Sequence, residues 1–255
     1  MIDVHSHILP SIDDGSRDIK ETYNLIKEAY NAGFTDIVCT SHYLEDYDFI
    51  ADDTQRMQWI NILTQNLPEE IKKMKLHIGS EIYFRYDMVE LLEDEKASTL
   101  CDSNYVLFEL SMKRKSSNLK NIIYNLIEKG YIPIIAHPER YQFFQEDPNS
   151  IIELIELGVY FQANFASIIG LYGKEAQNTV KVLLKNNMIH FLGSDVHREN
   201  TIYTKMPEII KELEKIISKE KIKELTEINP RLILENKKIN IDNPTEIKKS
   251  FWNKF

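Results

Sequence analysis

Cysteine is scarce: Cys39 and Cys101 are the only two in 255 residues, too few for a disulfide framework. Both lie in or beside apolar stretches, where a buried thiol is the ordinary expectation. No run approaches eighteen uninterrupted apolar residues, and the opening MIDVHSH lacks the basic start and apolar stretch of a signal peptide. The expectation is a cytoplasmic protein with no direct membrane insertion. Basic excess is also missing. A net charge of −9 argues against a nucleic-acid partner, which calls for a basic face to replace phosphate counterions. Even the most basic stretch, residues 205–255, balances 12 Lys and Arg against 9 Asp and Glu, which reads as a solvated helix face and terminus. No sequence repeat, low-complexity segment or Pro/Gly/Ser linker marks an internal boundary. One domain spanning residues 1–255 is expected, with about 237–255 as an irregular C-terminal extension.

What is present is a core and a periodic pattern. The 43% hydrophobic content supplies the first, and 28% charged residues give an ordinary soluble surface. Seven short apolar or β-branched runs read as strands: 2–5, 36–40, 76–80, 105–109, 132–136, 159–163 and 189–193. Helix-like stretches lie between and after them, at 53–66, 88–95, 118–129, 150–156, 174–187 and 206–217, after a first whose Ile19, Tyr23, Ile26 and Tyr30 share one helical face and which stops at Gly33. Strand and helix alternate at the spacing of β-α units, which favours a parallel sheet closing on itself in an α/β barrel.

The chemistry gathers where those strands end. Asp3-Val4-His5-Ser6-His7 places His5 and His7 on one face of the first strand, where both imidazoles can reach one metal. Chance alone yields roughly 0.2 His-x-His pairs in a chain of this composition, so the pair by itself decides little. The later strands decide more. His42, Glu81, Glu109, His137 and Asp195 each fall at the carboxyl end of a different run, the end at which barrel active sites are built. Asp14, in the loop after His7, and His197, two beyond Asp195, complete a set of nine. His77 and His190 begin strands and are expected at the opposite end. Five neutral imidazoles and four carboxylates facing three divalent ions leave about two positive charges, which suits a phosphoester. Without thiolates, the set points away from a closed zinc site and toward Mn, Fe or Zn with mixed N/O ligation. Arg140, just past His137, has the planar fork to grip phosphate oxygens at two points.

A cysteine phosphatase requires Cys-x5-Arg, but Glu45 and Leu107 stand at that distance from the two cysteines, and no Gly-x4-Gly-Lys-Ser/Thr loop occurs. Asp-x-His-x-His, Ser41-His42, Gly79-Ser80-Glu81, Phe108-Glu109, Ala136-His137-Pro138-Glu139-Arg140 and Gly193-Ser194-Asp195-Val196-His197, in this order, make the chain resemble the PHP (polymerase and histidinol phosphatase) superfamily. Within it, MIDVHSHILPSIDDGS, IIAHPERY and the closing NPRLILEN are similar to the capsule- and exopolysaccharide-locus protein-tyrosine phosphatases. The resemblance covers nearly the whole chain. It implies a distorted (β/α)7 barrel and three divalent ions, Mn first, with Fe or Zn as alternatives. By the resemblance His5, His7, Glu81 and Asp195 hold one ion, and Glu81 bridges to a second held by Glu109 and His137. Asp14, His42 and His197 hold the third. Glu81 and Arg140 carry catalysis, while Arg140 and Arg198 bind substrate. The implied substrate is the phosphotyrosine tail of a membrane-bound tyrosine kinase that controls polysaccharide export. Two departures stand out. The family's arginine some residues beyond the Asp195 motif is missing, leaving Arg198 and Lys205 as the cations there, and Thr40-Ser41-His42-Tyr43 replaces Thr-Pro-His-His. Histidinol-phosphate phosphatase, a metal-dependent nuclease or amidohydrolase, and a non-catalytic metal-stabilised binding module are the competing readings.

Overall fold

The computed structural model describes residues 1–248. Nine strand segments run parallel: β1 Ile2–Ser6, β2 Asp36–Cys39, β3 His42–Tyr43, β4 Lys75–Ile78, β5 Glu81–Tyr83, β6 Tyr105–Glu109, β7 Ile132–Ala136, β8 Tyr160–Asn164 and β9 Phe191–Gly193. They form a three-stranded sheet, β1-β2-β4, and a six-stranded sheet, β3-β5-β6-β7-β8-β9. Seven runs become nine segments because the second and third are each followed, within two residues, by a further short strand, β3 and β5. Across the junctions Thr40 N–H donates to Ser6 O (2.8 Å), and Glu81 N–H to the Thr40 and Ser41 carbonyls (3.2 and 3.3 Å). The first strand also bonds to the chain beyond β9, through Asp195 N–H to His5 O (2.8 Å) and His7 N–H to Val196 O (3.0 Å).

Strand residues alternate between two apolar clusters, as a pleat requires. Ile37, Val106, Phe108, Ile135, Phe161 and Leu192 pack with the helices. Val4, Val38, Leu107, Ile134, Ala136 and Phe191 pack with one another in the second cluster. β1 breaks the alternation usefully. Its pairing with β2 runs Ile2 to Asp36 and Asp3 to Ile37 but then Ser6 to Cys39, a bulge with one extra residue on β1. Asp3, before the bulge, accepts from Tyr203 Oη (2.6 Å), while His5, within it, brings Nε2 to 3.2 Å from Glu81 Oε2 and 3.6 Å from Asp195 Oδ1.

The first helix, Ile19–Asn31, is capped by Asp18, whose side chain accepts from Glu21 N–H. Its buried residues are Glu21, Thr22, Leu25, Ile26 and Ala29, so of the expected Ile19, Tyr23, Ile26 and Tyr30 only Ile26 is buried, while Ile19 and Tyr30 are exposed. The true stripe still follows the 3.6-residue period but is centred one position away, using a threonine and an alanine that an apolar-residue search passes over. Four α-helices among the described residues have no counterpart in the sequence reading: Gln142–Glu146, Phe165–Ile168, Lys219–Lys223 and Asn229–Leu234. Beyond them, residues 237–248 contain neither helix nor strand, yet they are tied down. Tyr105 and Tyr160 hydroxyls donate to Lys237 and Ile239 carbonyls (2.8 and 2.9 Å), and Ile239 and Ile247 are buried. The rest of the expected extension, 249–255, lies outside the described residues. No helix among the described residues is long and apolar enough to cross a membrane.

Candidate metal centre

His7 is followed by a loop that folds back over it, with Ser16 N–H bonded to His7 O (3.0 Å). Gly15 makes this possible: a Cβ there would sit 2.1 Å from His7 O and 2.6 Å from His7 Cβ. The fold-back delivers Asp13, whose Oδ2 accepts from His7 Nδ1 (2.8 Å) and from His42 N–H (2.9 Å), with Gly15 N–H on Oδ1 (2.9 Å). On the other side, Gln162 Oε1 accepts from His5 Nδ1 at 2.7 Å. Its amide nitrogen is committed to Ala163 O and Asn164 Oδ1, which fixes the orientation. Both imidazoles are thereby held as Nδ1–H tautomers with Nε2 lone pairs facing inward.

Those Nε2 atoms lie 3.1 Å apart. Glu81 Oε2 is 3.2 Å from the first and 3.3 Å from the second, and Asp195 Oδ1 is 3.6 and 3.4 Å away. All four side chains are buried. Nearby, Asp14 Oδ1 lies 3.3 Å from His197 Nε2 and 3.7 Å from His42 Nε2. The third group centres on Glu81, whose Oε1 is 2.9 Å from His137 Nε2, with Glu109 Oε2 3.8 Å from that nitrogen. His42 Nδ1 joins it, 3.1 Å from Glu81 Oε2 and 3.5 Å from Glu109 Oε1. The structure thus brings all nine candidates together, in three sets within one ion's reach: His5, His7, Glu81 and Asp195; His7, Asp14, His42 and His197; and His42, Glu81 and Glu109, with His137 alongside. Compared with the implied grouping, His7 and His42 each face two sets.

Whether cations fit is decided by what the cluster lacks. Glu81 Oε2 and His42 Nδ1 are buried and face each other without a hydrogen bond. An orphaned buried carboxylate oxygen costs on the order of 1–3 kcal/mol or more, so an arrangement of inward lone pairs is stable only around positive charge. The same need shows in the proton affinities. Burial lowers that of His5, but Glu81 and Asp195 outweigh it and the net direction is upward. Burial, with Glu81 and Asp195 beside it, pushes the Glu109 carboxyl up to about 9. At His5 and Glu109 a bound cation would take the place of a proton. The residues fit divalent ions.

Two ligand candidates, His137 (φ 32°) and Asp195 (φ 52°), have left-handed backbone, which turns the chain sharply at the ends of β7 and β9. After His137 comes the turn Pro138–Arg140. Arg140 Nη1 donates to Asp195 Oδ2 (2.9 Å) and its guanidinium lies 4.4 Å from the centre of the Tyr172 ring, so it faces the site and not a surface acid. Arg198 is nearby but engaged: its Nη1 donates to the carbonyls of Asp14 (2.8 Å), His197 (2.7 Å) and Gly15. Lys205 ends the turn Tyr203–Lys205.

Sequence reasoning missed the residues that hold the donors. Asp13 stood beside Asp14 in the sequence, but which one braces His7 depends on a loop fold that spacing does not encode. Gln162 and Asn164 left a signal, as polar side chains inside an otherwise apolar strand. Asn164 Nδ2 donates to Asp195 Oδ2 (2.6 Å), and its own N–H is accepted by buried Glu139, whose carboxyl is pushed up to about 7 by burial.

Parallel strands that carry clustered imidazoles and carboxylates at their carboxyl ends are the construction of a metal-dependent hydrolase. Comparison narrows the class. A family model described as capsular polysaccharide synthesis, CpsB/CapC, matches residues 1–235, and the chain belongs to that family. It is 30% identical to the tyrosine-protein phosphatase YwqE of Bacillus subtilis, over 98% of this chain and 97% of that one. Among solved structures, it matches one from a study of YwqE of B. subtilis and CpsB of Streptococcus pneumoniae, described as metal-dependent tyrosine phosphatases. The TM-score is 0.89 at 30% identity, covering 98% of this chain and 100% of the other. A histidinol phosphate phosphatase from Lactococcus lactis shares the fold at 15% identity, TM-score 0.55, over 85% of this chain and 94% of that one.

Proposed function

We propose that this chain is a metal-dependent protein-tyrosine phosphatase of capsular or exopolysaccharide synthesis, acting in the cytoplasm on the phosphotyrosine tail of a membrane-bound tyrosine kinase. The observation that carries it is the convergence of His5 Nε2, His7 Nε2, Glu81 and Asp195 in a buried cluster, in a chain that matches tyrosine phosphatases along nearly its whole length. The hydrogen bonds from His5 and His7 to the chain after β9 support reading both sheets as one distorted (β/α)7 barrel and the chain as a single domain.

In this reading His5, His7, Glu81 and Asp195 hold one ion, Glu81 with Glu109 and His137 a second, and Asp14, His42 and His197 a third, with Mn as the first choice over Fe or Zn. When bound, such ions supply Lewis acidity and lower the pKa of water toward neutrality. The protein's own groups do the rest. Asp13 and Gln162 keep the imidazoles of His7 and His5 in the ligating tautomer. Asp195 Oδ2, which also accepts from Asn164, fixes Arg140 through one N–H group, and the guanidinium's other N–H groups would bind phosphoryl oxygens. Arg198 steadies the Asp14 loop and lines the same cavity as Arg140, adding a second positive charge beside the substrate. A tyrosinate, with a conjugate-acid pKa of about 10, departs without a dedicated proton donor. No thiol takes part: Cys39 is buried, and burial pushes its pKa far up.

The test is hydrolysis by Mn²⁺-loaded protein of phosphotyrosine peptides, phosphoserine peptides and histidinol phosphate. Phosphotyrosine far ahead of phosphoserine is the expected result. Equal rates would make it a general phosphomonoesterase, preference for histidinol phosphate would favour that activity, and metal binding without any hydrolysis would leave a binding module.

A further inference from the structure

Beside Arg140, Asp195 and His197 a cavity of about 340 Å³ opens, and its other side is apolar, formed by Leu171, Tyr172 and Ile202. A volume of roughly 150 Å³ suffices for a benzene ring, so this space takes a ring together with its phosphate. The apolar side is built and not incidental. Leu171 and Tyr172 lie in a turn bracketed by Gly170 (φ 79°) and Gly173 (φ 96°), a conformation that glycine adopts without strain. The turn is pinned by Leu171 N–H to Ala166 O (3.1 Å) and Gly173 N–H to Gly170 O (3.1 Å). It holds Leu171 at 47% exposure at the rim of a charged centre, lining the same cavity as Arg140 and Asp195. Tyr172 lies under the Arg140 guanidinium at 4.4 Å.

From this we infer that Leu171, Tyr172 and Ile202 form an aryl subsite, which makes selection of an aromatic over an alkyl phosphate partly a matter of binding. The inference rests on the phosphatase reading and deepens it. Leaving-group chemistry alone favours tyrosinate only during bond breaking. An apolar wall beside the phosphate clamp adds preference before any bond breaks, by removing one ring face from water. Tyr172 has two tasks: its ring is part of the wall, and the same ring supports the Arg140 guanidinium at 4.4 Å.

Non-hydrolysable probes separate these effects from leaving-group chemistry. Calorimetric titration of the Mn²⁺-loaded protein with phenylphosphonate and with methylphosphonate gives a selectivity ratio. The wild type is expected to bind phenylphosphonate more tightly. Leu171→Ala, at a half-exposed position that does not endanger folding, should lower the ratio by about 5- to 10-fold. Tyr172→Phe should keep the ratio, because the ring remains. Tyr172→Ala should lower it and also weaken methylphosphonate, because Arg140 loses its support. A ratio near one in the wild type, failure of the wild type to bind either probe, or a ratio unchanged in both alanine variants overturns the subsite. If phosphotyrosine peptides are hydrolysed while the ratio ignores these substitutions, the subsite alone falls. If no phosphoester is hydrolysed while the ratio responds as described, the phosphatase reading falls and the aryl site stands.

Discussion

Buried histidines sit at both ends of these strands and meet opposite fates. At the carboxyl end His5 is enclosed by Glu81, Asp195 and His7, and its proton affinity rises despite burial. At the other end His190 precedes β9 and packs edge-on to Tyr160, with ring centres 5.2 Å apart. Its Nδ1 accepts from Phe161 N–H (3.0 Å), and burial, helped by Lys221, lowers its pKa to about 3. Burial is the same at both places. What differs is the company: carboxylates make a cation site, whereas aromatic rings and a main-chain donor make a neutral, structural imidazole.

Glu81, shared by two of the donor sets, is where the contrast is most easily broken. Glu81→Gln removes the shared charge, and phosphotyrosine hydrolysis is expected to fall by more than about 10³-fold with loss of bound metal. Unchanged activity and metal content, measured by elemental analysis, would refute the grouping. Arg140→Ala should cost about 10²–10³ in turnover while metal and fold persist, with Arg140→Lys recovering part, because an ammonium makes no two-point contact. Equal damage from Arg198→Ala with Arg140→Ala tolerated would move the phosphate clamp to the other cation. Asp13→Asn, which weakens the brace on His7 Nδ1, should reduce metal affinity by about 10–100-fold without unfolding the chain. A metal titration showing no change would make Asp13 merely a loop residue.

The smallest expected effect belongs to the opposite end. The folded-state pKa of His190 lies below its unfolded value, so the unfolded chain takes up the extra proton as pH falls. Stability from this group is present above about pH 6.5 and is lost down to about pH 3, at no more than about 1.4 kcal/mol per pH unit. In His190→Asn the amide oxygen replaces the Nδ1 acceptor and the titration disappears. The acid decline in urea midpoint should flatten by that slope while kcat at neutral pH is unaffected. An unaltered acid limb would mean that His190 is already accessible in the folded state.

Much of this contrast is legible in the sequence, because it rests on local pattern. Apolar runs of four or five residues mark the strands, and a ligand-type residue at or just past the end of six of the seven runs marks the carboxyl end. Less legible is whatever depends on how segments meet. The bulge in β1 that carries His5 depends on pairing with β2. The bonds that carry the sheet past the breaks before His42 and Glu81 join segments about 35 to 40 residues apart, from Thr40 N–H to Ser6 O and from Glu81 N–H to Thr40 and Ser41 O. The Asp13 brace depends on a loop folded through Gly15, and the hold of Gln162 on His5 spans 157 residues. Donor identity is written in the chain; donor orientation is written in the assembly.

The weld between the first strand and the chain around β9 has a kinetic consequence. Asp3 accepts from Ser194 N–H and from the Tyr203 hydroxyl, partners 191 and 200 residues away. Contacts of such separation raise contact order and slow folding, because a long loop must close before they form. During synthesis, a ribosome must therefore deliver at least residues 5–195 before His5 and Asp195 can meet. Metal uptake then reports completed folding, and a truncated or stalled chain has no way to assemble the full cluster.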